Sequence, residues 1–108
     1  MSIYEDLKNL EEKITGEGYT IDRFEVRERA DTYSESGING RTAQRAVGRN
    51  PLEVLEDWKT VDNQDYIIEV FLTGRNPLDR VLYDPEKQEA EYISFSSQDP
   101  SLEELLEE

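Results

Sequence analysis

The segment 66–72, YIIEVFL, constrains the fold most, because it is apolar on both alternating phases of a strand. Ile68 and Val70 share one phase, and Ile67 and Phe71 share the other. A strand with this pattern is shielded on both faces, at least in part, and so belongs inside a sheet. We therefore predict that this segment is the internal strand around which the rest of the chain is organised.

Two further strands are predicted downstream, at 80–84 and 89–95. Both segments are short and rich in β-branched and aromatic residues, and Asp84-Pro85 between them is typical of a tight turn. Short connections of this kind join antiparallel neighbours. The second half of the chain is therefore predicted to be a three-stranded antiparallel meander.

The segment 19–30 is predicted to be a strand near the edge of the same sheet. Phe24 and Val26 lie on one phase, whereas the other phase carries Arg23 and further charged residues. Glu28 falls on the apolar phase, where we expect the strand to fray or bulge, because an unpaired buried carboxylate is costly. The sheet should then contain three or four strands.

Two helices are predicted to cover one face of this sheet. The segment 3–15 carries apolar residues at a 4-3-4 spacing, which places them on one helical face. The segment 51–60 follows Asn50, a good N-cap, and begins with Pro51, which suits the first helical position. Leu52 should then face inward. The fold class is α+β, with the N-terminal and middle helices packed on one face of the meander.

Two shorter helices complete the predicted order. The segment 41–48 has alanine and valine residues on one helical face and Gly48 as a stop. The acidic tail 97–108 holds a capping box formed by Ser101 and Glu104, followed by three leucines. We expect this last helix to fray, or to dock only on a partner, and we expect residues 1–108 to form one acidic domain.

The charge balance leaves three explanations open. The chain has 26 Asp and Glu against 12 Lys and Arg, and its formal net charge is −14. The surface could serve solubility alone, or it could be an adaptation to a high-salt organism, where a Debye length of about 3 Å at molar salt removes the self-repulsion. A third explanation is an acidic nucleic-acid mimic that inhibits a protein with a basic groove.

The chain contains no cysteine and no histidine. Disulfides, thiolate nucleophiles, Ser-His-Asp machinery and zinc sites of the usual Cys/His kind are therefore excluded. The carboxylate clusters lack EF-hand spacing, so we predict no metal site, no cofactor and no catalytic residue. An enzyme that uses carboxylates alone, or a bound metal, remains the third functional hypothesis.

The N-terminus has neither the basic residues nor the apolar run of a signal peptide, and no stretch reaches the length of a membrane span. We therefore expect a cytoplasmic protein without a membrane association.

One segment interrupts the acidity. Between Glu35 and Glu53 the chain has no acidic residue but carries Arg41, Arg45 and Arg49, with Tyr33 in the polar loop before them. Arginine pairs well with carboxylates and phosphates, and exposed tyrosine is common at contact surfaces, so these four residues are the candidate binding site for a partner or an anion. The net charge opposes direct nucleic-acid binding, because duplex recognition needs a basic footprint.

The leading functional hypothesis is therefore a non-catalytic protein-binding or regulatory module.

A titration of the unfolding midpoint against KCl distinguishes the three explanations of the negative net charge. A high-salt adaptation predicts a midpoint that rises steeply into the molar range, because screening removes the self-repulsion of the surface. An ordinary solubilising surface, or a mimic, predicts a midpoint that stays flat once moderate salt has been reached.

Overall fold

The structure is a computed structural model that describes residues 3–28, 45–58, 66–94 and 99–107. The elements follow one another as α1 (Ile3–Gly16), β1 (Ile21–Glu28), β2 (Arg45–Gly48), α2 (Pro51–Asp57), β3 (Tyr66–Leu72), β4 (Arg80–Asp84), β5 (Glu89–Ile93) and α3 (Pro100–Glu107). The predicted α+β class is confirmed. None of these three helices is both long and apolar enough to cross a membrane.

The strands form one antiparallel sheet in the order β2-β1-β3-β4-β5. β3 occupies the centre, as its two apolar phases predicted, and the meander from β3 to β5 is confirmed. β1 lies between the edge strand β2 and the central strand. The sheet has five strands where three or four were predicted, and the additional strand is β2.

The helix predicted at 41–48 is wrong for the part that the structure describes, because Arg45–Gly48 is strand β2. Its backbone pairs with β1, with Ala46 opposite Val26 and Gly48 opposite Phe24. Ala46 and Gly48 are buried whereas Arg45 and Val47 are exposed, which is the alternation of a strand. A helix this short gains few hydrogen bonds after its costly nucleation, whereas pairing with β1 satisfies the backbone at once. Residues 41–44 lie outside the described ranges.

The core lies on one face of the sheet. The helices contribute their buried leucine, isoleucine and valine side chains to a single cluster with the core-facing residues of the strands. Its helical members are Leu7, Leu10, Ile14, Val54, Leu102 and Leu106, and its strand members include Phe24, Val26, Ile68, Val70 and Val81. All three helices, α1, α2 and α3, therefore contribute to this core, where the prediction placed only α1 and α2.

The N-cap of α2 is confirmed, but the orientation predicted for Leu52 is wrong. The side chain Oδ1 of Asn50 accepts a hydrogen bond from the backbone N–H of Glu53 at 3.0 Å, and Pro51 takes the first helical position. Val54 faces the core and is fully buried. Leu52, two residues earlier, lies about 200° away around the helix, and its exposure is 63%.

The acidic tail forms α3, which packs on the sheet with Leu102 and Leu106 buried. The helix starts earlier than the predicted Ser101. The carboxylate of Asp99 accepts from the N–H of Leu102 at 3.2 Å and from Arg75 Nη2 at 2.8 Å. The hydrogen bond from Arg75 is the main reason that the pKa of Asp99 lies below its ordinary value.

Gly48 marks the closest approach of α2 to the sheet and yields a direct test of this packing. A Cβ atom at this position would lie 2.6 Å from the backbone N of Val54 and 2.9 Å from the carbonyl C of Glu53. We expect Gly48→Ala to lower the free energy of unfolding by about 1–3 kcal/mol in urea titrations, because α2 must shift to make room.

Gly16→Ala is the matched control, since a Cβ at the end of α1 meets no atom within 4 Å. Its free energy of unfolding should stay within about 0.5 kcal/mol of wild type. Equal stabilities of the two variants would contradict the close contact between α2 and β2.

Candidate functional site

The face of the sheet opposite the core is covered by no described helix, and we call it the open face. Side chains alternate along each strand, so the residues between the core positions point to this face. The registers of neighbouring strands arrange them in three rows. The first row holds Arg23, Phe71, Arg80 and Ile93; the middle row holds Val47, Glu25, Glu69, Leu82 and Glu91; and the third row holds Arg45, Arg27, Ile67, Asp84 and Glu89.

Two carboxylates are buried at the centre of the open face. Glu25 on β1 and Glu69 on β3 lie directly opposite each other, with exposures of only 5% and 6%. Like charges opposite each other on neighbouring strands are unfavourable, and a buried carboxylate without partners costs several kcal/mol, roughly. This arrangement therefore requires cations close to both side chains.

Glu25 is held by two arginines, one from its own strand and one from the edge strand. Arg23 Nε donates to Oε2 at 3.0 Å, and Arg45 donates to Oε1 through Nε at 3.0 Å and through Nη2. Both carboxylate oxygens thus accept charge-assisted hydrogen bonds, which are about twice as strong as neutral ones. The edge strand β2 is thereby tied to β1 by side chains as well as by backbone pairing.

Glu69 is held in the same way from both neighbouring strands. Arg27 Nε on β1 donates to Oε1 at 3.0 Å, and Arg80 Nε on β4 donates to Oε2. We call these six side chains the arginine–glutamate network: Arg23, Glu25, Arg27, Arg45, Glu69 and Arg80. It carries four positive and two negative charges, so it is a locally positive area in a strongly acidic chain.

Arg23 also covers an aromatic ring. Its guanidinium carbon lies 3.9 Å from the centroid of the Phe71 ring, and Phe71 is only 8% exposed although no described helix packs on this face. The cation–π contact and the ion pair with Glu25 hold Arg23 from two sides. Its guanidinium is therefore fixed before any partner binds.

The electrostatics keep Glu25 ionised. Burial alone would raise the pKa of Glu25, but the hydrogen bonds from Arg45 and Arg23 outweigh burial, so the pKa lies below its ordinary value. A carboxylate with two arginine partners is most stable in its charged form. Glu25 therefore keeps its negative charge throughout the neutral pH range.

The structure describes two of the four residues of the predicted site, Arg45 and Arg49, and neither of them lies in a helix. Arg45 lies on the open face as part of the network. Arg49 is exposed just after β2, and its backbone N–H donates to Glu53 Oε1 at 3.1 Å. Arg41 and Tyr33 lie outside the described residues. Arg45 begins a strand, so it does not lie on the helix predicted for 41–48.

Sequence reasoning missed the other five members of the network. One signal was available, since Glu69 is the only charged residue within the apolar segment 66–72. The charged phase of β1 was recognised as exposed. The residues that bind its side chains, however, come from distant parts of the chain. Glu28, which the sequence singled out instead, pairs with Tyr66 through its backbone, and its side chain lies outside the described set.

Two clefts with polar linings border the helices. A cleft of about 210 Å³ between α1, β4, β5 and α3 is lined by Asp6, Asn9 and Lys13 among others, and Tyr66 donates its hydroxyl to Asp6 Oδ2 at 2.6 Å. A second cleft of about 310 Å³ lies beside Glu91, Glu103 and Glu107. Within the described ranges, no group of three or more carboxylates is arranged to hold a metal ion.

No model of a known protein family, no curated protein and no solved structure matches this chain.

The pKa of Glu25 provides a test of the network. An unfolded glutamate has a pKa of about 4.3, and the folded value is lower, so the unfolded chain takes up this proton first as the pH falls. The stability that ionised Glu25 contributes is complete above that unfolded pKa and is lost as the pH falls through the folded pKa. We expect Glu25→Gln to lower the free energy of unfolding at neutral pH by about 1–3 kcal/mol and to flatten its decline in acid.

Urea titrations at a series of pH values measure both effects. Glu12→Gln on the exposed side of α1 is the matched variant, because it removes one carboxylate outside the network. The difference between the two variants reports the network itself. If Glu25→Gln declines in acid as steeply as wild type, Glu25 is not the ionised partner described above.

Proposed function

We propose that the domain is a non-catalytic protein-binding module that contacts its partner through the open face. The observation that carries this proposal is the arginine–glutamate network, which lies on the sheet face opposite all three helices. A face that only needed to be soluble would not require two buried carboxylates with four arginines around them. The cost of that arrangement suggests that the positions of the arginines matter.

The fixed arginines suit recognition. Ordering a long side chain during binding costs about 0.5–1.5 kcal/mol, and arginines already held by ion pairs have lost much of that freedom beforehand. Arg45 keeps 62% of its side chain exposed while it binds Glu25. Arginine is also enriched among the residues that dominate binding energies at protein interfaces. Arg45 is therefore the residue best placed to contact a partner.

The charge of the open face indicates what kind of group the partner offers. The network has two more positive than negative charges, so it attracts carboxylates at short range, whereas Asp84, Glu89 and Glu91 make the β5 end of the same face negative. The net charge of −14 repels an extended polyanion at long range, which disfavours nucleic acid. A protein surface with a few acidic side chains fits both conditions. Half-buried Ile67, Leu82 and Ile93 on the same face add apolar contact area.

The alternative of an acidic nucleic-acid mimic has one observation in its favour. Glu91 on β5 lies beside the same cleft as Glu103 and Glu107, which are one helical turn apart on α3. These side chains present closely grouped negative charge to a basic groove. Exposed carboxylates are also spread over α1 and α2, however, and a mimic needs them concentrated on one elongated face.

A quantitative pull-down from an extract of the source cells at native salt tests the proposal. We expect Arg45→Ala to reduce the recovery of a stoichiometric partner at least about tenfold, because an arginine hot spot contributes 1.4 kcal/mol or more, roughly. Lys8→Ala on α1 is the matched control and should recover the partner as wild type does. Equal recovery with Arg45→Ala would reject the open face, and loss only with Glu91→Lys would favour the acidic mimic.

A further inference from the structure

The third row of the open face has its charges in a particular order. From the β2 edge to the β5 edge it reads Arg45, Arg27, Ile67, Asp84 and Glu89, which is two positive charges, an apolar residue and two negative charges. The register pairs Arg45 with Arg27, Arg27 with Ile67 and Asp84 with Glu89, and the pairing of Ile68 with Tyr83 aligns Ile67 with Asp84. A second copy of this row that runs in the opposite direction places its negative end against the positive end of the first copy. The charges of the row are therefore complementary to those of its own copy.

From this order we infer that the open face binds a second copy of this chain, face to face about a two-fold axis parallel to β3. The inference rests on the proposed binding function and names its partner. A two-fold axis in that direction places β2 opposite β5 of the second copy, β1 opposite β4, and β3 opposite itself. Arg45 then faces Glu89 of the second copy and Arg27 faces Asp84, while the two Ile67 side chains meet at the axis.

The charges favour this arrangement over the other face-to-face arrangement. A two-fold axis in the plane of the sheet but perpendicular to the strands would lay β2 on β2 and the third row on the first row. Arg27 would then face Arg23 of the second copy, which is repulsive, Asp84 would face Arg80, which is attractive, and Glu89 would face Ile93. Because the axis parallel to β3 forms opposite-charge contacts at Arg45 and at Arg27, whereas the perpendicular axis forms them only at Asp84, the order of the third row favours the axis parallel to β3.

The other two rows contribute less to this packing. In the first row Arg23 faces Arg80 of the second copy, and the opposite-charge contacts of the third row outnumber this repulsive pair. Glu69 faces its own counterpart, but each Glu69 is already held by Arg27 and Arg80 within its own chain. Phe71 also faces its counterpart, but Arg23 of its own chain covers each ring. The ends of the middle row place Val47, 37% exposed, against Glu91 of the second copy. The specificity therefore comes from the third row, and the apolar contact at the axis comes from Ile67.

The size of the face is sufficient for a weak specific dimer. Five strands about 4.8 Å apart and three rows about 6.6 Å apart give a patch of roughly 500 Å² on each copy. The two patches together bury about 1,000 Å², which is in the range of weak, transient interfaces. Packed sheets lie about 10 Å apart, a gap that arginine and glutamate side chains can bridge. Because each copy carries −14, salt that screens the long-range repulsion should strengthen the association.

Sedimentation equilibrium at moderate KCl concentration tests this dimer with charge-reversed variants. Arg45→Glu and Glu89→Arg should each weaken the dimer at least about tenfold, because the symmetry places like charges at both ends of the third row. An equimolar mixture of the two variants should recover dimer formation. In the mixed dimer the new carboxylate faces the new guanidinium, and the unchanged Arg45 and Glu89 face each other.

Two variants on α1 are matched controls for the change in charge. Lys8→Glu and Glu12→Arg lie on the helical side and should dimerise as wild type does. Thermal unfolding verifies that each variant is folded, since Arg45→Glu loses its bonds to Glu25. Glu89→Arg is outside the network, so its result stands even if Arg45→Glu is destabilised.

Two results would overturn the inference: a wild type that stays monomeric up to millimolar concentration, or a mixture that dimerises no better than its two components. These outcomes are distinct from a failure of the proposed function. A monomeric wild type whose captured partner is lost with Arg45→Ala would reject the second copy and keep the binding module. A monomeric wild type whose partner is recovered equally well with Arg45→Ala would reject both the dimer and the open face as the binding surface.

Discussion

The rest of the structure depends on two carboxylates that are buried opposite each other on neighbouring strands. Glu25 and Glu69 would repel each other and lose their hydration without compensation, so the sheet must supply cations on both sides of the pair. It supplies four arginines from β1, β2 and β4. A face organised in this way is poorly suited to covering by an apolar helix, and all three helices pack on the other side.

The network also shows where part of the scarce positive charge of this acidic chain is located. Positive charge is scarce, with 12 Lys and Arg against 26 Asp and Glu, and four of the arginines are concentrated on one face of the sheet. The described helices carry exposed carboxylates on the opposite side of the molecule. Together with the carboxylates of the same face, these arginines give the open face a nearly balanced charge, whereas the described helices are acidic. A surface that is electrostatically distinct in this way can select its partner and its orientation.

The sequence was sufficient wherever a local signal determines the structure. The two apolar phases of 66–72 predicted the central strand, and Asn50-Pro51 predicted the start of α2, because each signal depends on neighbouring residues only. β2 was missed because its four residues become a strand by pairing with β1, about 20 residues earlier in the chain. The network was missed for the same reason, since Arg27 and Glu69 are 42 residues apart. Only Arg45 was identified, from the absence of acids around it, and its secondary structure was predicted wrongly.

The central claim is that the open face, rather than the helical side, is where two copies of this molecule meet. NMR spectra of the arginine Nε–Hε groups, recorded as the protein concentration is raised, test it most directly. We expect the signals of Arg27 and Arg45 to shift with concentration, and the signal of Arg75, which binds Asp99 and Tyr92 on the side of the helices, to stay constant. Shifts confined to Arg75 and the helices, or no shifts at all, would contradict the claim.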